Sequence, residues 1–342
     1  MIDREIPFIR IPEDAGGEVQ VAVGQGPYRL ALRRLRRNHA ALCFAGLFLL
    51  ILICCLCAPL YASAIAHTGP NTEHLTETIK VGGHTVDVVN LQGVPIGPTW
   101  HSRFLLGADS NGEDVAVRLL YGGRTSIFIG GIATLITMVL GVVVGVAAGY
   151  FRGAVDGILS RLMDLIWSYP VVLLGVALGT VLALTGLHLG PLVLTGTSPM
   201  VPAFIIGFVF IPYVAKPIRG QVLSLREKEF VDAARSLAAG HLRIMVSEIL
   251  PNVSSTIVVF VPLMIANAIL LEAGLSFVGA GVQPPNPSWG NMISDGLQYI
   301  STTPGLVLAP AIMLVLAVLG INVFGEGVRD ALDPRAQIRI EH

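Results

Sequence analysis

The chain is 342 residues long, 53% hydrophobic and only 13% charged, with a mean hydropathy of +0.72. Soluble domains carry about 25% charged residues, so this composition excludes an ordinary soluble protein and points to one embedded in lipid. A net charge of −1 offers no basic face to neutralise phosphates, which excludes nucleic acid as a partner.

Residues 1–27 carry Gly16, Gly17, Gly24 and Gly26 without a helical period, so a mobile cytoplasmic tail is expected, with 1–39 lying ahead of the first membrane segment. This is not a secretory leader, because the apolar run begins near residue 40 and is too long. Arg29, Arg33, Arg34, Arg36 and Arg37 precede that run, 40–62, and the positive-inside rule puts them in the cytoplasm. Cys43, Cys54, Cys55 and Cys57 all fall within it. The C-x-x-C of Cys54 and Cys57 has no neighbouring His or carboxylate and reads as small apolar filler.

Residues 63–123 are expected outside, with a β-hairpin in which Thr76–Val81 and His84–Asn90 flank Gly82-Gly83. The next apolar run, 125–149, places Gly141, Gly145 and Gly149 on one helix face, the small-xxx-small pattern of close helix packing. Tyr150–Arg161 reads as a short inner turn, and the third run, 159–184, should kink at Tyr169-Pro170. An uncharged outer loop, 185–199, leads to a fourth run, 200–220, with Pro202, Pro212 and Pro217.

The inner loop 221–252 holds the longest charged stretch after the N-terminal tail. Its residues 226–238 predict a helix of good formers, and Pro251 is expected to open the next apolar run. Ala233 and Ala234 sit mid-helix among Arg226, Glu227, Lys228, Glu229, Asp232 and Arg235. Small side chains ringed by charge at a membrane surface suit close docking to a soluble partner.

The fifth run, 253–282, contains Glu272, which a rise of about 1.5 Å per residue places roughly 30 Å from Asn252, near the outer face. A charge at a bilayer centre costs about 2.5–3.5 kcal/mol. Glu272 is therefore expected to anchor the outer loop 283–303, with Trp289 and Asn291, over a pore mouth; the alternative is a carboxylate that simply reaches outer water. A sixth run, 304–325, leads to an inner tail, 329–342. Of the 22 Lys and Arg residues, this arrangement leaves only Lys80, Arg103, Arg118 and Arg124 outside. The expected fold is an all-α membrane protein of about six helices with both termini inside, its transmembrane domain covering 124–328.

No G-x-x-x-x-G-K-[ST] phosphate loop, H-E-x-x-H or G-x-S-x-G occurs, so the chain should bind no nucleotide or metal and is not expected to be an enzyme. His101, His188 and His241 are isolated in sequence and read as structural or solvated.

Four segments carry a family resemblance. Asp232-Ala233-Ala234 through Ile249-Leu250-Pro251 resembles the "EAA" coupling loop of ABC-importer permeases, with Ala238 in place of the usual Gly, Gly240 two places later, and Glu248 where an apolar residue is usual. Leu106–Asp114 with Arg118–Ser126 resembles the "GTDxxGRD…RLIYGARxS" segment of dipeptide, oligopeptide and nickel importer permeases. There Ala108 replaces Thr, and Glu113 replaces Arg, inverting a charge. Glu272–Pro285 and Pro287–Met292 are similar to that group's "EAxLSFLGLGVQPPxPSWGNM", and Asn322–Arg335 to its "NxxGDGLRDALDPR".

The resemblance covers about 105–335 and is to the second, C-type, permease subunit. It implies a prokaryotic plasma-membrane assembly of two related permeases, two cytoplasmic ATPases that bind ATP and Mg, and an extracytoplasmic binding protein. Glu229, Asp232, Ala233, Ala234, Arg235, Ala238, Gly240, Leu250 and Pro251 would then contact an ATPase groove, and the cargo would be a peptide or a nickel chelate. A channel or secondary transporter acting alone is the rival expectation, but it leaves the charged inner helix without a role.

Overall fold

Long apolar runs can satisfy their backbone in lipid only as helices or closed barrels. The computed structural model, which describes residues 27–190 and 192–333, is built mainly of helices. Residues 1–26 of the expected tail, together with Pro334 and Arg335 of the C-terminal motif, lie outside the described residues. Among the described residues, five helices are long and apolar enough to cross a membrane, and a bent pair makes a sixth candidate.

The basic block forms α1 (Pro27–Leu35) and the turn after it, and α2 (His39–Leu56) begins where the Asn38 side chain accepts from the Ala41 N–H. Strands β1 (Thr78–Val81) and β2 (His84–Asp87) pair across Gly82 and Gly83, whose φ values of 57° and 86° make the primed turn that the Gly-Gly pair suggests. The hairpin leans on its own chain. Ile79 packs against buried Val88, Phe104 and Ala108, and the Arg103 guanidinium donates to both Glu77 oxygens at 2.6 and 2.9 Å.

The second apolar run is longer than its hydropathy suggests. Helix α3 (Val115–Phe151) has 37 residues and takes in Arg118 and Arg124, so helical backbone begins within the segment expected outside. The Asp114 carboxylate caps it, accepting from the Ala116 and Val117 N–H groups at 2.9 and 3.2 Å. The expected turn over 150–161 shrinks to Arg152, at positive φ like Gly153 after it, and α4 (Gly153–Trp167) follows at once.

The expected kink at Tyr169-Pro170 is a full break, with α4 and α5 (Val171–Thr185) meeting at 87°. Pro170 has no N–H to continue the ladder, and its ring crowds the preceding turn. A short pair of strands, β3 (Leu187–Leu189) and β4 (Leu192–Leu194), lies where a plain loop is expected. Helices α6 (Met200–Val209) and α7 (Ile211–Leu225) together form one span.

After the short α8 (Glu229–Ser236), helical backbone resumes at His241, ten residues before Pro251. A π-type stretch, Ile244–Ile249, leads into α9 (Leu250–Phe277). Pro251 therefore lies inside the helical run and does not open it. The wider turn relieves the carbonyl that the proline ring would otherwise meet. The last described helices are α10 (Trp289–Gly296) and α11 (Gly305–Leu332), the latter running seven residues past the expected end at 325.

Helix α3 is the centre of the bundle, packed on α6, α7 and α9, while α11 lies between α9 and the α1–α2 arm. A Cβ on Gly141 would stand 2.8 Å from Val214 Cβ, one on Gly145 2.6 Å from the Ala215 carbonyl oxygen, and one on Gly149 2.7 Å from Val222 Cβ. These three glycines let α7 lie directly against α3.

Candidate functional site

The segment between α7 and α9 carries one candidate site. Its helix α8 is shorter than predicted, because Arg226–Lys228 form the turn that ends α7. Glu229 and Asp232 in the first turn and Arg235 in the last complement the helix dipole, and Arg235 donates to Asp232 at 2.9 Å.

One face of α8 is sunk into the bundle. Val231 is wholly buried in the core that also holds Tyr150, Ile244 and Ile249, and Ala234 packs against that core. The two alanines are not equivalent: Ala233 is exposed, whereas Ala234 is half-buried and packs on that core. With Ala233 stand Phe230 and Leu237, at i, i+3 and i+7, and Leu237 is 84% exposed. An apolar stripe left open between Glu229, Asp232 and Arg235 has the make-up of an interface centre with a charged rim. Phe230 and Leu237 escaped the sequence analysis, although their helical spacing with Ala233 was there to be counted.

Ala238 ends the helix at φ 55°, with its own N–H on the Arg235 carbonyl at 2.9 Å and the Ala239 N–H on Ala234 at 3.1 Å. This double-bonded ending is the one for which glycine is the usual residue. Gly240, at φ −64° and ψ 153°, does not take over that left-handed role. Leu250 and Pro251 lie where the π-type stretch passes into α9, with Leu250 packed on the core and Pro251 exposed.

Beside this loop, α7, α9 and α11 enclose a cleft of about 930 Å³. Its polar lining includes Gln221, Asn252, Thr256, Asn322, Glu326 and Arg329, and Gln221 donates to Thr256 at 2.7 Å. Sequence analysis did not single out this lining. Its signal was polar residues recurring within otherwise apolar runs.

The second candidate site joins α3, α9 and α10. Glu272 is completely buried, which rules out the alternative of a carboxylate in outer water. It accepts from Ser276 Oγ at 2.7 Å, and the Ser126 and Ser288 hydroxyls lie beside it, while its Oε2 has no hydrogen-bond partner among the described residues. Trp289 is also fully buried; its backbone N–H donates to Ser126 Oγ at 3.3 Å and its indole to the Leu119 carbonyl at 3.1 Å.

Asn291 does a different job, accepting from the Ser288 N–H at 2.8 Å and donating to the Asn286 carbonyl at 3.0 Å as part of the α10 capping box. Of the residues expected to hold the outer loop, Glu272 meets it at Ser288, Trp289 is a buried strut inside the bundle, and Asn291 caps α10.

The charge inversion at Glu113 has a local partner. Arg118, one turn into α3, pairs with Glu113 and with Asp109 at 3.1 Å, and donates to the Pro70 carbonyl at 3.1 Å. Burial pushes the Glu113 carboxyl up to about 7 against the pull of Arg118, and neighbouring Asp109 adds to the rise. Burial also raises Asp114, although the N–H groups of Phe104, Val117 and Ala116 oppose it. Among the described residues no cluster of His, Cys, Asp and Glu could hold a metal ion, and Cys54 and Cys57 remain free thiols.

Comparison with known proteins gives these features a context. The family described as "binding-protein-dependent transport system inner membrane component" matches residues 141–338, and the "N-terminal TM domain of oligopeptide transport permease C" matches 26–76. A putative peptide transport system permease protein of Brucella suis is 33% identical over 92% of this chain and 95% of its own. A dipeptide transport system permease protein of Alkalihalophilus pseudofirmus is 34% identical over 90% of each chain. An oligopeptide transport system permease protein of Bacillus subtilis is 32% identical over 89% of this chain and 88% of its own. Among solved structures, the MetNI methionine ABC transporter in an inward facing conformation shares the fold, with a TM-score of 0.51 and 18% identity. That likeness covers 63% of this chain and 96% of that one.

Proposed function

This chain belongs to the family of binding-protein-dependent transport system inner membrane components and is a multi-pass permease subunit of an ABC importer; from that premise we propose that its cargo is a peptide and that α8 is its contact with the ATPase. The observation that carries the second half is the open stripe of Phe230, Ala233 and Leu237 set among charges, on a helix whose other face is locked into the bundle by Val231. A short helix held this way gives a partner a rigid, apolar knob with charges to fix its register.

ATP and Mg belong to two partner ATPases, because nothing in this sequence cradles phosphates. The orientation is set by charge: the α8 end and the basic α1 lie in the cytoplasm of a prokaryotic cell, and the hairpin end faces the binding protein outside. A second, related permease subunit completes the passage. The polar cleft between α7, α9 and α11 is this subunit's share of it, suited to the amides and charged ends of a peptide. The names of the relatives, which span dipeptide and oligopeptide systems, support the peptide class. ATP binding closes the ATPases, shifts α8 and exchanges the side from which the cleft is reached.

Two measurements test this. Affinity-tagged chain should bring down ATPase subunits, and a strain lacking the chain should lose uptake of defined di- to oligopeptides but regain it with Ala233 intact and not with Ala233→Glu. A charge at 233 would be buried in the interface without a counter-ion. Full peptide uptake with Ala233→Glu, at normal membrane levels, overturns the docking role; uptake that never depended on the chain overturns the cargo.

A further inference from the structure

The α7–α9 segment leaves the bundle at Arg226 and returns at His241, and both points are fastened to a single residue of another helix. Tyr150, in the last turn of α3 and 5% exposed, shares a hydrogen bond between its hydroxyl and His241 Nδ1 at 2.9 Å. Its backbone carbonyl accepts from the Arg226 guanidinium. The His241 ring also meets the Tyr150 and Phe151 rings edge-on, with centroids 5.7 and 5.9 Å away. One residue further, Arg152 donates to Glu227 at 2.7 Å, and Glu227 also accepts from Arg226 at 3.2 Å.

We propose that Tyr150 is a positioning residue for coupling, clasping the two ends of the α8 segment together so that a shift of α8 is passed to α3 instead of being absorbed in its flanking turns. Those turns are the weak points. Arg226–Lys228 and Ala238–Gly240 are short non-helical stretches on either side of α8, and backbone rotation there would let α8 move while the bundle stayed still. Val231 and the small Ala234 seat the middle of α8 on the core, but contacts within one turn fix its position more than its direction. Contacts at both ends, converging on one residue, remove that freedom. The clasp acts on α3, the helix that α7, α6 and α9 all pack against.

This inference rests on the reading of α8 as the ATPase contact, and the test separates the two. The importer is reconstituted with its ATPases and binding protein, and ATP hydrolysed per peptide moved is measured per assembled complex. Tyr150→Phe keeps the ring, its packing and the carbonyl that Arg226 uses, and loses only the hydroxyl. The ratio should rise by roughly two- to thirty-fold, the range for residues along a coupling path.

His241→Ala should do the same. The double variant should be no worse than the poorer single one, because both remove one bond. A ratio at the wild-type value in Tyr150→Phe overturns the clasp, whether or not assembly is weaker, and so does an additive double variant. If the wild-type complex itself hydrolyses ATP without moving peptide, the importer reading of α8 fails; a coupled wild type with a coupled Tyr150→Phe sinks the clasp alone.

Discussion

The indole of Trp289 donates to the main-chain carbonyl of Leu119 across 3.1 Å, tying together segments 170 residues apart. The pairing is possible because Gly123 has no side chain; a Cβ there would sit 2.5 Å from the Trp289 ring. Ser126, one turn on, takes the Trp289 backbone N–H and also faces Glu272, so the three helices share one polar knot in an apolar setting.

The knot makes Glu272 sensitive to shape and to hydrogen bonding together. Glu272→Gln keeps an acceptor for Ser276 and should hold most of the stability. Glu272→Leu leaves the buried Ser276 hydroxyl without its acceptor, and a loss of about 1–3 kcal/mol is expected. Thermal midpoints of the detergent-purified chain check this, and equal midpoints for the Leu variant and the wild type would refute it.

Gly145 tests the α3–α7 contact. The Ala215 carbonyl oxygen, 2.6 Å from where its Cβ would be, is backbone and cannot turn aside. Gly145→Leu should cost about 1–3 kcal/mol through overpacking and lower the yield of folded protein. Gly131, whose Cβ would meet nothing within 4 Å, is the control, and Gly131→Ala should leave the yield unchanged. Equal losses at both positions would count against helix packing as the cause.

Ala238 holds a backbone conformation that suits glycine better. Its left-handed φ of 55° costs an L-residue roughly 1–2 kcal/mol, only partly offset by the extra freedom glycine has when unfolded. Ala238→Gly should therefore stabilise the end of α8. Hydrogen exchange at the Ala239 amide, which closes the helix onto Ala234, should slow several-fold. Faster exchange in the variant would show that the alanine is unstrained.

Glu113 gives the outer segment a pH dependence with a definite sign. Its carboxyl is raised in the folded chain to about 7, so between pH 4.5 and 7 the folded state binds more protons than the unfolded one. Stability should fall as pH rises through that window, by at most about 3 kcal/mol for this one group, at 1.36 kcal/mol per unit. Glu113→Gln should flatten the dependence. A wild-type midpoint that rises with pH across the window, relative to the variant, would contradict the assignment.

The orientation can be read by chemical labelling. In a background without the native cysteines, Leu91→Cys, fully exposed beyond the hairpin, should react with an impermeant thiol reagent in intact cells. Ser236→Cys, exposed on α8, should react only after the membrane is opened. The reverse pattern would invert the topology.

What could be read from sequence follows from which forces act locally. The Gly82-Gly83 turn, the apolar runs and the α8 helix announce themselves through backbone freedom and composition within a few residues. The extent of α3 does not, because Arg118, Tyr121 and Arg124 lower the local hydropathy while Asp114 still caps the helix ahead of them. Ser126 and Leu119, which meet Glu272 and Trp289, come from α3, over 140 residues earlier, and no spacing within their own motif reveals them. Likewise Ala233 and Ala234 look equivalent until the core chooses which of them to cover.

Helix α3 has one more consequence. Its 37 residues contain no proline and, at about 1.5 Å each, span roughly 55 Å, well beyond the thickness of a hydrocarbon layer. A tilt of roughly 10° about one end would sweep the other through about 10 Å, with no proline to break the stroke. α3 is in effect a lever arm, with Tyr150 at the handle and Asp114 at the tip. If α8 is the ATPase contact, work applied at Tyr150 would reach the hairpin end as displacement, without a relay of intermediate parts.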